Sequence, residues 1–308
     1  MSTMKSTLLG LLAVGAMLMV TNAVMAQAPG SPALHFSADY FSDTLGLADG
    51  TNVTGHNWVD NVAGAEATPF GIELTLFTNA APGGNPVVRD NGAMNSGNNQ
   101  WWLSDTEMAA KAPNLLSGTN DYTIIAIMQG IAPIPDVNNI GVLATWGTGP
   151  EQQNQWYLSA DNGPDGYQRT FQSGASSFTH LSNFGINNAD ITSDFHAYGW
   201  RKSGGAAAVL ENHTDGITSA LTGGAVKADL GIHGNLGGFG RRMNFQHGAG
   251  GFRGDLAEII FWDRALSDSE LVLVDSYVAG KYAIPEPTAI ALVAMGLTIL
   301  GARRRRHC

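Results

Sequence analysis

The feature that most constrains the fold is an uninterrupted apolar run near the middle of the chain, Tyr122-Thr-Ile-Ile-Ala-Ile-Met. The run is rich in β-branched residues, which favour strands. It lacks the polar alternation of a strand with one face in water, and such runs are typical of strands covered on both faces. The sequence therefore predicts a central strand that is buried on both sides.

Composition extends this prediction to the rest of the domain. The chain contains 39 glycines and only 14% charged residues. A chain poor in Lys and Glu and rich in Gly, Asn and Thr is typical of many strands joined by tight turns. Further strands are predicted at residues 33–40, 72–77, 86–89, 101–103, 141–146, 155–159 and 254–262. Residues 195–202 and 206–211 are predicted to pair as a hairpin, and a turn is predicted at 79–85.

One amphipathic helix is predicted near the end of the domain, over residues 268–279. Ser267 and Glu270 form a capping box, in which each side chain can bond the backbone amide of the other residue. Three apolar residues at helical spacing define the face that should pack on the sheet: Leu271, Val274 and Val278. Gly280 stands where a helix end favours positive φ, so the helix is expected to end there.

The N-terminus has the layout of a secretory signal peptide. Lys5 precedes an uncharged apolar run at residues 8–20, and small residues ending at Ala26 offer a cleavage site before Gln27. A first core helix is the alternative, but a Met-rich apolar segment behind a single lysine is typical of export. We therefore expect residues 1–26 to form a signal helix that directs the protein through the inner membrane.

The C-terminus combines a proline-containing triplet, an apolar segment and a basic end. The triplet is Pro285, Glu286 and Pro287, and the basic end is Arg303, Arg304, Arg305 and Arg306. The apolar residues 288–302 would form a transmembrane helix of about 22 Å, which is short against a bilayer core of about 30 Å. The prolines stop a helix from running in from the domain, and the arginines favour the cytoplasmic side. An ordinary C-terminal anchor is one interpretation.

Taken together, these three parts resemble the PEP-CTERM sorting signal of exported bacterial proteins. The resemblance implies recognition by an exosortase, a membrane transpeptidase that removes the tail near the triplet after a transient membrane-anchored stage. It also implies a bacterium that makes extracellular polysaccharide. The chain is thereby divided into a signal peptide at 1–26, a domain at 27–283 and a sorting signal at 284–308. A cell-surface or extracellular location is expected.

The expected mature chain is acidic and has no thiol. Without Lys5, Glu286 and the four terminal arginines it keeps 11 basic and 25 acidic residues, a net charge near −14. Such a surface repels nucleic acid and anionic lipid, so neither is expected as a partner. The only cysteine is Cys308, in the segment that would be removed. A cysteine nucleophile, a cysteine metal site and a disulfide are therefore not expected.

The body of the chain resembles a second family. The stretch GDLAEIIFWDRALSDSEL at residues 254–271 is similar to the closing strand and helix of LamG-like, concanavalin A-like domains. Looser similarity lies at 198–202 with 211–216, and at 49–60. The resemblance implies an all-β fold, a two-sheet antiparallel jelly-roll sandwich with one C-terminal amphipathic helix. Composition also predicts the all-β class, whereas the topology comes from the resemblance alone.

Catalytic chemistry is not expected from the sequence. Glycosidases on this fold use a Glu-x-Asp-x-x-Glu strand whose alternation places the carboxylates on one face, and this chain has no such stretch. Glu258 is interpreted instead as a structural partner of Arg264, of Arg253 or of backbone amides. The eight histidines include no His-Glu-x-x-His motif, and the glycines at 234–240 do not match a dinucleotide-binding motif.

Two aromatic pairs are candidate carbohydrate-binding residues: Trp101 with Trp102, and Trp156 with Tyr157. The first pair follows an Asn-rich loop at 91–99, and the second follows Gln and Asn residues at 152–154. Adjacent residues of a strand point to opposite faces, so one ring of each pair is expected in the core and the other on the surface. The alternative is that both rings serve only in packing.

An oxygen-ligand site for Ca²⁺ is a further candidate. The stretch Asp161-Asn-Gly-Pro-Asp-Gly partly resembles an EF-hand loop, but Gly163 and Gln172 stand at positions that need other ligands. A looser site on this loop or at 212–215 remains open, with Asp161, Asp165 and Asp215 as candidate ligands. LamG-like domains often carry such a site, but no residue can be transferred from the family.

Three functions from different classes follow. A carbohydrate-binding, non-enzymatic module in the exopolysaccharide or biofilm matrix is favoured by the tail, the fold resemblance and the missing catalytic carboxylates. A structural or adhesive surface protein that binds other proteins is the alternative. A polysaccharide-degrading enzyme with unfamiliar site residues is the third, and the absence of paired acids argues against it.

Overall fold

The structure is a computed structural model that describes residues 28–70, 74–90, 100–115, 119–131, 140–146, 154–160, 167–173, 178–181, 194–205, 209–220 and 254–284. Between residues 140 and 181 the description covers the backbone pairing of the strands. The signal peptide, the proline triplet, the apolar tail and the arginines of the sequence predictions lie outside these residues. Among the helices that are described, none combines the length and the apolar character needed to cross a membrane.

The described part is mostly antiparallel β-sheet, which confirms the all-β prediction. In chain order the strands are β1 (Leu34–Ser37), β2 (Trp58–Val59), β3 (Glu66–Phe70), β4 (Leu74–Ala81), β5 (Asn85–Asp90), β6 (Gln100–Trp102), β7 (Tyr122–Gly130), β8 (Ile140–Trp146), β9 (Asn154–Ala160), β10 (Tyr167–Ser173), β11 (Phe178–Leu181), β12 (His196–Ser203), β13 (Val209–Thr214), β14 (Ile217–Ala220) and β15 (Gly254–Trp262). The helical elements are a π-helical turn (Tyr40–Thr44), a 3-10 turn (Pro82–Gly84), α1 (Asp105–Lys111) and α2 (Asp268–Tyr282).

These strands are arranged in sheets of eight, four and three strands. The eight-stranded sheet has the order β14-β13-β12-β7-β15-β5-β4, and β1 pairs with β15 beside β5. The four-stranded sheet has the order β11-β10-β9-β8, and the three-stranded sheet has the order β2-β3-β6. The closing strand β15 therefore sits near the middle of the largest sheet.

Strand β7 is the central strand that its apolar run predicts. It pairs with β12 on one side and with β15 on the other. Ile124, Ala126 and Met128 belong to the core cluster on one face of the sheet. Ile125 and Ile127 belong to a second cluster on the opposite face. Burial on both faces is therefore confirmed.

An aromatic cluster covers the first face. The rings of Trp58 and Trp101 have centroids 5.1 Å apart, and Phe41 lies 5.5 Å from Trp101. Phe36 of β1 meets Trp58 edge-on at 5.9 Å. The indole Nε1 of Trp58 donates to the carbonyl oxygen of Ser37 at 2.8 Å. The cluster thus ties the three-stranded sheet and the π-helical turn to β1 of the largest sheet.

Helix α2 covers the second face and begins at the predicted capping box. Ser267 Oγ accepts from the Glu270 amide at 3.3 Å, and Glu270 Oε2 accepts from the Ser267 amide at 2.9 Å. The predicted end at Gly280 is wrong, because the helix continues to Tyr282 and Ala283 forms the cap with φ of 52°. Tyr282 is buried in the second cluster, and this burial holds the last turn in place beyond the glycine.

Most of the other predicted elements occur in the structure at the predicted positions, with ends that differ by a few residues. The predicted hairpin pairs β12 with β13, with Ser203 opposite Val209. Strand β4 runs on to Ala81, so the turn predicted at 79–85 shortens to the 3-10 turn, and Asn85 already begins β5. Strands β2, β3, β10, β11 and β14 and helix α1 are not predicted from the sequence. Most of them are short, and none has a marked apolar periodicity.

Candidate functional site

The structure separates the two predicted aromatic pairs. Trp101 and Trp102 lie in β6 of the three-stranded sheet, whereas Trp156 and Tyr157 lie in β9 of the four-stranded sheet. Trp101 is only 3% exposed and packs against Trp58, so it is a packing residue and not a sugar platform. It is the core-facing member that strand alternation predicts for its pair. The side chains of the other three lie outside the described part, and their exposure stays a prediction.

Asp215, a candidate calcium ligand, is engaged by neighbours within the protein. It lies in the turn between β13 and β14 with φ of 47°. Its Oδ1 accepts from the Ala197 amide at 2.8 Å, and its Oδ2 lies 2.6 Å from Nδ1 of His196. Asp161 and Asp165 lie outside the described residues. Where the structure describes the chain, it has no group of three or more His, Cys, Asp or Glu side chains placed to hold a metal ion.

The most concentrated polar chemistry of the described residues surrounds Glu258 in β15. On the side away from β7, the first half of β15 pairs with β5, and from Glu258 onward β15 pairs with β1. Its register relative to β7 shifts between Leu256 and Glu258, at the point where the edge partner changes. Glu258 faces α2 together with His35 and Ser37 of β1, and Ser37 Oγ donates to Glu258 Oε1 at 3.4 Å.

Glu258 is 0% exposed and contacts side chains from two other elements. The hydroxyl of Tyr277 in α2 donates to both carboxylate oxygens, at 2.8 and 2.9 Å. Nε2 of His35 lies 3.1 Å from Oε2. The ammonium group of Lys281 donates to Oε1 of Glu258 and also to Asp39. One buried carboxylate thereby joins β15, β1 and α2.

The surroundings of Glu258 keep it ionised. Burial by itself raises the pKa of this carboxyl, but attraction and hydrogen bonds from His35 and Lys281 outweigh burial and lower the pKa to about 2. Burial lowers the pKa of Lys281, and the charges of Glu258 and Asp39 reverse that effect and raise it above its ordinary value. Burial, followed by the charge of Glu258, raises the pKa of the Tyr277 hydroxyl far above its ordinary value.

This arrangement is a structural clamp between the sheet and its covering helix. A glycosidase general acid needs a carboxyl with a raised pKa beside its substrate, whereas Glu258 has a lowered pKa and is enclosed. The predicted partnership with Arg264 is wrong, because Arg264 Nη2 pairs with Glu270 Oε1 at 2.7 Å and donates to the carbonyl oxygen of Gly30 at 2.8 Å. Arg253 lies outside the described residues.

Two further polar links fix α2 along its length. At its start, Arg201 Nη1 donates to Asp268 Oδ1 and to the carbonyl oxygen of Leu266, both at 2.7 Å. Midway, Nε2 of His213 lies 2.7 Å from Asp275 Oδ1. Together with Lys281 near the end, these links tie the helix to the sheet at three points. They fix both the position and the rotation of α2 on the sheet.

A small surface pocket lies where α2 meets the turn between β13 and β14. Its acidic lining is Asp215 and Asp275, each of which is paired with a histidine. Its apolar lining includes Val278 of α2 and Ile284, which follows the helix. Because both carboxylates already have partners within the protein, we interpret the pocket as the seam between the helix and the sheet.

Comparison with solved structures finds similar folds, among them the following two. The first is domain 4 of an extracellular arabinanase from Geobacillus stearothermophilus, solved in complex with arabinotriose, with a TM-score of 0.52 and 12% identity over 80% of this chain and 98% of that domain. The second is a mutant of Trypanosoma rangeli sialidase displaying trans-sialidase activity, with a TM-score of 0.50 and 15% identity over 82% of this chain and 34% of the sialidase. The chain thus spans almost all of the first and about a third of the second. At these identities the likeness shows the fold alone.

Comparisons at the level of sequence give no relative: no family model matches the chain, and no curated protein matches it.

Sequence reasoning missed the partners of Glu258. His35 lies 223 residues away, and Tyr277 and Lys281 lie 19 and 23 residues away. One signal was present, since Tyr277 and Lys281 are four residues apart and therefore share a helix face. The contribution of β1 has no local signal, because it depends on which strand pairs with the second half of β15.

Proposed function

We propose that this protein is an exported, non-enzymatic module that binds carbohydrate in the extracellular polysaccharide matrix of a bacterium. In this proposal residues 1–26 direct export, and residues 27–283 form a concanavalin A-like jelly-roll sandwich. Residues 284–308 are a PEP-CTERM sorting signal that an exosortase removes near the triplet. The basis for export and sorting is the order of the terminal segments in the sequence.

The observation that carries the carbohydrate-binding proposal is the likeness to the arabinanase domain solved with arabinotriose. The match extends over 98% of that domain, so the likeness involves the whole unit that was solved with the sugar. It supports a fold that can present a sugar-binding surface, and it transfers no residue. Strand alternation assigns one ring of each pair to the outside. Because Trp101 is internal, Trp102 is the candidate of the first pair, and we choose Tyr157 to test the second pair.

The charge of the expected mature chain narrows the class of glycan. A net charge near −14 disfavours acidic polymers unless a cation bridges the two surfaces. Neutral oligosaccharides therefore fit best, and Ca²⁺ would widen the range if the loop around Asp161 and Asp165 holds it. Glu258 is fully buried against Tyr277 and His35, so it is not a candidate residue of the proposed sugar-binding surface.

Affinity electrophoresis tests the proposed surface. The protein recovered from the culture medium would be run in native gels with and without the host's extracellular polysaccharide. We expect the polymer to retard the wild-type protein and to retard Trp102→Ala and Tyr157→Ala less. Leu273→Ala is the matched control, since Leu273 is 56% exposed on α2 and should leave retardation unchanged. A wild-type protein that migrates equally in both gels contradicts the proposal, and release of sugars from the polymer would establish an enzyme instead.

Mass spectrometry of the same material tests the proposed export and sorting. The expected mature protein begins at Gln27 and ends near Pro285 to Pro287. A protein that stays in the cell with both ends intact contradicts this part of the proposal.

An adhesive role is the second candidate, and one observation favours it. Val272 and Leu273 are consecutive residues of α2 and are 59% and 56% exposed. Paired aliphatic side chains on a rigid helix fit a protein partner better than a sugar. If the folded protein binds no glycan, this role would be favoured by chemical cross-linking to another protein that is lost when Val272 and Leu273 are substituted.

A further inference from the structure

The last turn of α2 is fixed to the domain by contacts on several sides. Asn85 Nδ2 donates to the carbonyl oxygen of Lys281 at 2.7 Å, which satisfies one of the free carbonyls of the helix end. The side chain of Lys281 is held in turn by Asp39 and Glu258. Tyr282 is buried, and Ile284 beyond the helix is only 8% exposed and belongs to the same core cluster.

The 3-10 turn fits closely against this helix end. Gly83 has φ of +77°, and a Cβ at this position would stand 2.6 Å from the carbonyl oxygen of Lys281. That distance is too short for a side chain, so the close approach requires glycine at position 83. The helix end therefore has no room to move toward the turn, and it leaves its place only by breaking the contacts around Lys281, Tyr282 and Ile284.

The proposed sorting triplet begins at the very next residue. Pro285 follows Ile284 directly, so no spacer separates the buried segment from the triplet. Three residues reach at most about 11 Å when extended, which bounds the distance from Ile284 to Pro287. Enzymes that cut peptide bonds act most readily on exposed, flexible backbone, and the backbone before the triplet is docked in the core.

We propose that docking of Ile284 and the last turn of α2 limits processing, so that the exosortase acts rapidly only on precursor whose helix end has not yet docked. The inference rests on the proposed sorting function. Cleavage breaks one peptide C–N bond, and the carbonyl carbon bonds to the nucleophile of the transpeptidase while the proton of the nucleophile passes to the leaving amine. An amine or water then takes the acyl group and returns a proton to the nucleophile. The enzyme must approach both sides of the bond, and on one side it meets the docked domain.

A spacer insertion in the full precursor tests this inference. Six Gly and Ser residues would be inserted between Ile284 and Pro285, which preserves every contact of α2 and moves the triplet away from the domain. The control carries the same insertion between Thr54 and Gly55, in the turn before β2, where nothing lies within 4 Å of a Cβ placed on Gly55. Processing would be followed by pulse-chase labelling in the host that carries the exosortase.

We expect the spacer to speed processing of the folded precursor by about tenfold or more, because cleavage no longer waits for local opening. The control insertion should process at the wild-type rate. Ile284→Ala should give an intermediate rate, and Val62→Ala, at a residue that is 40% exposed and far in sequence from α2, should give the wild-type rate.

Two results overturn the inference in different ways. If the wild-type precursor is processed and the spacer leaves its rate unchanged, docking does not limit processing, and the sorting function stands. If neither the wild-type nor the spacer variant is processed, the sorting function fails and the inference fails with it.

Discussion

Glu258 keeps its charge in the core because its neighbours supply what water would supply. Tyr277 donates to both oxygens, and His35 and Lys281 approach the same carboxylate from β1 and α2. A buried carboxylate without such partners would lose several kcal/mol of solvation and take up a proton. The residue therefore contributes to the docking of α2 on the sheet, and two predictions concern Glu258 itself.

The first prediction concerns removal of the charge. Glu258→Gln keeps the size of the side chain but leaves Lys281 with Asp39 as its remaining acidic partner. Loss of one partner of a buried ion pair typically costs about 3–5 kcal/mol, and we expect the free energy of unfolding in urea to fall by that amount. Asp43→Asn, at an exposed carboxylate, is the control and should change stability by less than about 0.5 kcal/mol. Equal stability of both variants would contradict the clamp.

The second prediction concerns pH. The pKa of Glu258 is lowered from 4.5 to about 2 in the folded protein, so its contribution is complete above pH 4.5 and is lost as the pH falls toward 2. That shift corresponds to about 3 kcal/mol. We expect the wild-type protein to lose stability across this window and Glu258→Gln to lose much less. Glu270 has a similarly lowered pKa through Arg264, but it lies at the surface and should contribute less. Parallel pH profiles for the two proteins would contradict the prediction.

The third prediction separates the two tryptophans of β6. Trp101 fills the aromatic cluster, so Trp101→Ala should lower the free energy of unfolding by about 3–5 kcal/mol. Trp102→Ala should change stability by less than about 1 kcal/mol and should weaken glycan binding. Thermal unfolding and affinity electrophoresis of both variants distinguish these roles. A destabilised Trp102→Ala with normal binding would assign both rings to packing.

At the scale of elements, the 3-10 turn and the end of α2 form one unit, which gives the fourth prediction. Gly83 and Gly46 both have positive φ, at +77° and +65°. A Cβ at Gly83 would collide with the carbonyl oxygen of Lys281 in the helix, whereas a Cβ at Gly46 would have no atom within 4 Å. Gly46→Ala should therefore show only the backbone strain of about 1 kcal/mol. Gly83→Ala should be more destabilising and should speed hydrogen exchange in the last turn of α2. Equal effects of the two substitutions would show that the turn does not brace the helix.

The elements that could be predicted are those specified by their own sequence. The apolar run of β7 and the capping box at Ser267 are local signals, and both are confirmed. Gly280 predicts too early an end for α2, because the burial of Tyr282 overrides the local preference of glycine. The partners of Glu258 depend on the order of strands in the sheet, and no stretch of sequence specifies that order. The candidate sugar residues could be proposed by type, but only packing shows that Trp101 is internal.

At the scale of the molecule, the eight-stranded sheet is packed against other elements on both of its faces. An aromatic cluster lies on one face, and α2 with its three polar links lies on the other. No cysteine remains in the expected mature chain, so its stability has to come from this packing.

Calorimetric titration of the mature protein tests most directly our proposal that this fold binds carbohydrate. The host's extracellular polysaccharide would be titrated into protein shown to be folded by its cooperative unfolding. Parallel titrations with Ca²⁺ and with a chelator would test the calcium candidates Asp161, Asp165 and Asp215.

We predict saturable heat that is reduced by Trp102→Ala and by Tyr157→Ala. Loss of that heat on chelation would show that the binding site requires Ca²⁺. A folded protein that gives no heat under either condition would contradict the carbohydrate-binding claim and would favour the adhesive role of the exposed face of α2.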